Sequence, residues 1–168
     1  MPMTRLELFA CLDSLGIAHA TLEHPPVFTV EEAREHTHHL PGGHTKNLFL
    51  EDKTGGLWLV TCLDEQPVKV NALARLLGAP RFSFGKAERL MEALGVPPGS
   101  VTPLALVNDT ERRVRPVLDT KLLAHELVNC HPLANTATTT LKASDLLCFL
   151  ESLGYAPRLV DLDLTLEA

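Results

Sequence analysis

Aromatic side chains are scarce, with one Trp, one Tyr and six Phe in 168 residues, so Leu, Val and Ala must fill most of any core. Long apolar runs are absent. Nothing approaches the ~18 consecutive apolar residues needed to span a bilayer, and Met1-Pro2-Met3-Thr4-Arg5 leads into an amphipathic helix rather than a signal-peptide core. A cytoplasmic location is the expectation. Cysteine is sparse and scattered: Cys11, Cys62, Cys130 and Cys148 form no C-x-x-C pair, which favours reduced thiols over a disulfide framework or a zinc ribbon. There is no G-x-S-x-G elbow and no G-x-G-x-x-G fingerprint, and Gly85-Lys86 lacks both the upstream Gly and the following Ser/Thr of a P-loop. Nucleotide hydrolysis and dinucleotide binding are disfavoured. The net charge of −6 argues against broad non-specific binding to nucleic acid, though not against an RNA end held in one basic pocket. Lys69, Arg75, Arg81, Lys86 and Arg89, opposed only by Glu88, make a positive stretch that also fits a solvated surface.

What is present is a hydrophobic content of 45% over a length suited to one domain, residues 1–168. Thr4-x-x-Glu7 is a capping box followed by Leu8, Phe9, Leu12 and Leu15 on one helical face. Ile17 to Leu22 reads as a strand, and Thr29-x-x-Glu32 opens a short helix through about His36. Lys46–Glu51 and Leu57–Cys62 read as strands joined by Asp52-Lys53-Thr54-Gly55-Gly56, a hairpin signal. Pro67 suits a helix N1 position ahead of Val70, Leu73, Ala74 and Leu77. Phe82–Phe84 reads as a short strand, and a helix from Ala87 stops at Gly95. Further strands are expected at Leu104–Val107, Val114–Leu118, His125–Asn129, Thr136–Leu141 and Leu159–Leu162, with Ser144 capping a last helix. This order predicts an α+β fold rather than a βαβ series.

Four features invite chemistry. Cys130-His131 resembles a thiol–imidazole dyad, but in an extended segment adjacent side chains point to opposite faces, so a buried, inert Cys130 is expected. His36, His38, His39 and His44 invite a metal hypothesis, yet their spacing matches no standard ligand set and no cysteine is close; no metal or cofactor is expected. Lys46-Asn47 follows a Gly-Gly turn, where the ammonium can bind a phosphate and the amide can bond a ribose or an amine. A plain surface lysine fits the same pattern. Finally, in Gly99-Ser100-Val101-Thr102-Pro103 the glycine permits close backbone approach and the proline fixes the exit. Such a loop can aim N–H groups at a developing oxyanion, and it can equally be an ordinary turn.

Taken in order, several segments carry a resemblance: His24-Pro25-Pro26-Val27-Phe28-Thr29-Val30-Glu31-Glu32-Ala33, His44-Thr45-Lys46-Asn47-Leu48-Phe49-Leu50, Trp58-Leu59-Val60-Thr61, Gly99 to Leu106, and His131-Pro132-Leu133 with Asn135 and Thr138. The chain resembles the YbaK-type editing superfamily, and specifically the free-standing alanyl-tRNA(Pro) deacylases called ProXp-ala or PrdX, from about residue 4 to residue 162. That resemblance implies a mixed, partly barrel-like sheet flanked by helices, and hydrolysis of mischarged proline tRNA in trans. Lys46 would grip the tRNA 3′ end or the substrate's polar groups, and Asn47, with Thr45 beside it, would position the terminal adenosine or the aminoacyl amine. Gly99 and its loop neighbours Ser100, Val101 and Thr102 would bring backbone donors near the ester, with Pro103, which has no N–H, fixing the exit of the loop. His131 would shape a small amino-acid pocket, supported by Asn135 and Thr138. The implied partners are the acceptor end of tRNA(Pro) and prolyl-tRNA synthetase, with no membrane and no DNA. A cysteinyl or broader small-amino-acid deacylase, or a non-catalytic tRNA-acceptor or synthetase-binding module, stays open beside it.

Overall fold

The computed structural model describes residues 1–167. Helix α1 (Arg5–Ser14) starts on the Thr4–Glu7 capping box, with both reciprocal bonds formed, and buries Leu8 and Leu12. Leu15 ends up as its exposed C-cap. Next come β1 (His19–Glu23), α2 (Val30–Thr37), β2 (Gly43–Asp52), β3 (Leu57–Leu63), α3 (Val70–Leu77), β4 (Phe82–Phe84) and α4 (Ala87–Leu94). After two 3-10 turns, Pro98–Ser100 and Pro103–Asn108, the chain forms β5 (Val114–Asp119), α5 (Thr120–Leu123), β6 (Leu127–Cys130), β7 (Ala137–Lys142), α6 (Ala143–Ser152) and β8 (Arg158–Val160). A final 3-10 turn covers Leu162–Leu166.

The strands make one mixed sheet in the order β1-β7-β6-β2-β3-β5-β8, with β4 paired to β2 off this path. It is open: β1 and β8 lie at its two ends. The β2–β3 hairpin is fixed by Asp52, whose carboxylate accepts from the Thr54 amide and hydroxyl, the Gly56 amide and the Trp58 indole. Burial pushes that carboxyl up, but the hydrogen bonds outweigh it and hold it at about 2.

The period-two alternation of β2 and β3 divides the apolar residues between two faces. Phe49, Leu57 and Leu59 pack with α1, α4, α6 and the Pro103–Asn108 turn, whereas Leu50, Trp58, Val60 and Cys62 pack with α3 and Phe82.

Four expectations are corrected. Leu104–Val107 is a 3-10 helix, not a strand. Pro103 sits at its start, the Thr102 hydroxyl accepts from the Leu104 amide, and a short apolar run does not distinguish the two states. Pro67 lies ahead of α3, which begins at Val70 after Lys69. Ser144 falls inside the first turn of α6, whose N-cap is Lys142. The last strand is Arg158–Val160, and Leu162 enters the closing turn.

Candidate active site

Strand β2 organises the site. Its even-numbered residues bond to β3: the Asp64 amide donates to the His44 carbonyl at 2.8 Å, and the Asp52 amide to the Gly56 carbonyl at 2.8 Å, with Lys46 opposite Cys62 between them. Odd-numbered residues therefore turn their peptide groups to the other edge. Two strands share that edge. Parallel β6 pairs only with Gly43 and His44, and antiparallel β4 pairs with Leu50–Asp52. Between these contacts β2 and β6 part, and a cavity of about 190 Å³ opens in the fork.

Seven of the expected site residues line this cavity: Thr45, Lys46 and Asn47 on β2, Gly99 and Val101 on the loop, His131 after β6 and Thr138 on β7. Lys46 and Asn47 approach it from opposite faces of β2. Asn47 lies on the side of Thr61, whose hydroxyl donates to its Oδ1 at 2.6 Å, while its Nδ2 donates to the Val101 carbonyl at 3.1 Å. The amide thus braces the Gly99–Pro103 loop. Lys46 lies on the Cys62 side, where burial pushes the Cys62 thiol up to about 12 against the pull of the Lys46 charge.

The rest of the loop sits behind the cavity. Ser100 is buried and its amide donates to the Pro97 carbonyl at 2.9 Å, Thr102 is buried as a cap, and Pro103 begins the 3-10 turn. Only Pro98, Gly99 and Val101 of this segment reach the lining. Asn135 is also outside the lining. Its Nδ2 donates to the Val27 carbonyl at 2.8 Å, and a Cβ on Gly99 would lie 3.1 Å from that nitrogen, so glycine lets the loop settle on Asn135.

His131 has a defined tautomer. Its Nδ1 is 2.9 Å from the Ala137 carbonyl, so it carries the proton, and the neutral ring keeps Nε2 as an acceptor. Burial pushes this imidazole below the usual histidine range; the Ala137 bond opposes that shift, and His24 adds to it. His24 similarly donates from Nδ1 to the Pro25 carbonyl, and its Nε2 is hydrogen-bonded to the Thr138 hydroxyl, each at 2.8 Å. Leu133, in the turn after His131, has φ of 69°, a conformation L-residues adopt at a cost.

Cys130 is buried in β6 and its thiol is pushed up to about 12 by burial. A protonated thiol is a poor nucleophile. Among the described residues no three His, Cys, Asp or Glu side chains group to hold a metal ion. No helix among them is long and apolar enough to cross a membrane. None of the five residues of the central basic stretch lines the cavity, and Arg89 is 3.1 Å from Glu51.

The residue-level reading passed over Phe28, Asp64 and Asn129. Phe28 borders the cavity with 73% of its surface exposed. Asp64 accepts from Arg34 Nε at 2.9 Å and Nη2 at 2.7 Å, which ties α2 to the end of β3. Asn129 is buried and donates to the Pro41 carbonyl. A polar residue in an apolar strand, and an aromatic beside a Pro-Pro turn, are the signals that pointed to them.

A family model for the aminoacyl-tRNA editing domain matches residues 24–149, spanning every residue that lines the cavity. The chain belongs to that family. This editing domain is 44% identical over 161 residues to prolyl-tRNA synthetase associated domain-containing protein 1 of Danio rerio, covering 95% of the chain and 88% of that protein. It is 31% identical to the prolyl-tRNA editing protein ProX of Acetoanaerobium sticklandii, covering 92% and 95%. A crystal structure of a candidate trans-editing enzyme for prolyl tRNA synthetase superposes with a TM-score of 0.70 at 22% identity, covering 94% of each chain. At that identity the likeness concerns the fold.

Proposed function

We propose that the protein is a trans-editing hydrolase that removes alanine from mischarged tRNA(Pro) and spares prolyl-tRNA(Pro) by size. The observation that carries this reading is the fork cavity, with His131 and the Gly99 loop among its lining, in a chain of the editing family. Its relatives bear names that tie them to prolyl-tRNA synthetase and prolyl-tRNA editing.

The chemistry follows from an ester that is already activated. No covalent nucleophile is needed; the ester must be held, a water directed and an oxyanion stabilised. Ligand sites for drug-sized molecules enclose roughly 300–1,000 Å³, so a cavity of about 190 Å³ suits an aminoacyl group with its nucleoside outside. His131, neutral at pH 7, accepts a hydrogen bond from the attacking water at Nε2. The Gly99 peptide faces the ester, and Phe28 offers the terminal base an exposed stacking face. Lys46 supplies positive charge at the rim for the RNA end.

A synthetase pocket built for proline rejects alanine weakly, because a missing methylene is worth about 1–3 kcal/mol. A second, smaller pocket solves that problem. The test is deacylation of alanyl-, cysteinyl-, seryl- and prolyl-tRNA(Pro) side by side. Fast loss of alanine with stable prolyl-tRNA is expected. Release of none of the small amino acids overturns the hydrolase reading, and preferential release of cysteine overturns the assignment to alanine.

A further inference from the structure

We infer that the fork between β2 and β6 binds the aminoacyl group through the main chain of Asn47, as a one-residue strand added to the open edge of β2. This rests on the editing reading for the identity of the substrate, but its geometry is independent of turnover.

The argument begins with which peptide groups have partners. On the edge of β2 away from β3, the carbonyl of Phe49 accepts from the Gly85 amide at 2.8 Å, and Gly43 and His44 are paired with Val128 and Asn129. Asn47 falls between these contacts. By the alternation of the ladder its N–H and C=O both point at the fork, and no hydrogen bond among the described residues uses either. Buried strand edges leave such groups unpaired only rarely, because a peptide group shielded from water without a partner is unfavourable. Here the two groups border a cavity.

The neighbouring side chains keep the edge in place. Thr45 Oγ1 donates to the Asn129 carbonyl at 2.7 Å and stitches the fork at its base. The Asn47 amide is committed to Val101 and Thr61, so it cannot turn back to satisfy its own main chain. The fork is thus held open by bonds on both sides.

An N–H and a C=O of one residue on a strand edge match one class of ligand: a group with a donor and an acceptor spaced as in an amino-acid residue. An α-aminoacyl ester has that pattern. Its α-ammonium donates to the Asn47 carbonyl, and its ester carbonyl accepts from the Asn47 amide. The same amide then faces the oxygen that gains charge when water attacks, which makes it an oxyanion donor alongside the Gly99 loop. Recognition of this kind reads the α-amine and leaves the side chain to the pocket walls.

The test has two arms. In the first, ¹⁵N-labelled protein is titrated with 3′-deoxy-3′-alanylaminoadenosine, an amide that is not hydrolysed. The Asn47 amide should shift more than those of Lys46 and Leu48, whose N–H groups are already bonded to β3. An unmoved Asn47 amide, or no binding at all, overturns the inference whatever the deacylation panel shows. A moving Asn47 amide in a protein that releases no amino acid leaves the docking intact and removes the hydrolase reading instead. In the second arm, propionyl-tRNA(Pro), which lacks the α-amine, should be hydrolysed at least about tenfold more slowly than alanyl-tRNA(Pro), the value of one charged hydrogen bond. Equal rates for the two overturn the inference.

Discussion

The two halves of β2 share a backbone conformation and differ in what surrounds it. From Phe49 to Asp52 the strand has β3 on one edge and β4 with Gly85 on the other, and Phe49 and Leu50 are buried on opposite faces. From Gly43 to Asn47 its second neighbour leaves after two residues, and every side chain from His44 to Asn47 is only partly buried. One half holds the sheet together. The other turns polar groups to the cavity, and the paired half fixes its position. Stability and function should therefore separate along a single strand.

The largest effect should come from the paired half. Leu50 is fully buried in the apolar cluster that also holds Trp58 and Leu73. Leu50→Ala should lower the unfolding free energy by about 2–5 kcal/mol, read from the urea midpoint, while the protein that stays folded keeps its deacylation rate. A mutant of wild-type stability, or a folded mutant with no activity, would break the contrast. Phe28 should show the reverse. Phe28→Ala should leave the urea midpoint nearly unchanged, since the ring is 73% exposed, and lower kcat/KM by roughly tenfold to a hundredfold, the value of one base–aromatic stack of about 1–3 kcal/mol. Phe28→Trp should restore it.

How much of this was legible in the sequence follows from the range over which each signal acts. The hairpin at Asp52–Gly56 and the Thr4–Glu7 cap are local, and both formed as read. Leu104–Val107 was misread because four apolar residues carry no period, and the deciding signal was the Thr102-Pro103 start. The site was legible only as separate motifs. That Gly99 rests against Asn135, that Asn47 braces Val101, and that β2 and β6 part after two residues are long-range facts of packing. No spacing within one segment encodes them. Ser100 shows the same limit from the other side: it belongs to the motif, but the turn around it faces inward.

A smaller effect concerns pH. Because burial lowers the His131 value, the unfolded chain takes up a proton at this residue first as pH falls. The stabilisation from its neutral, buried ring is complete above the ordinary histidine value near pH 6.5. It declines below that, towards the depressed folded value. The acid limb of kcat/KM should accordingly lie below pH 6.5, and His131→Asn should lower the rate while removing that limb. An acid limb above pH 6.5 would show that the ring in the working enzyme is not the buried neutral one.

Cys130 should give the smallest effect, and it sharpens the comparison because the residue sits at the fork itself. In β6 it is paired with Thr139 of β7 and lies next to His131, the position a nucleophile would need. Two observations count against that role. The thiol is 1% exposed, and burial pushes its value up to about 12, which keeps it protonated at pH 7. Cys130→Ala should lose about 1 kcal/mol of stability or less through the small cavity it leaves, and should change kcat/KM by no more than about twofold, within the range of a substitution that touches no reacting group. Iodoacetamide gives an independent reading. It should label exposed Cys148 without loss of activity and leave Cys130 unmodified in the folded protein. Rapid inactivation that tracks modification of Cys130 would instead place covalent catalysis at the fork, and hydrolysis directed by main-chain groups would no longer account for the site.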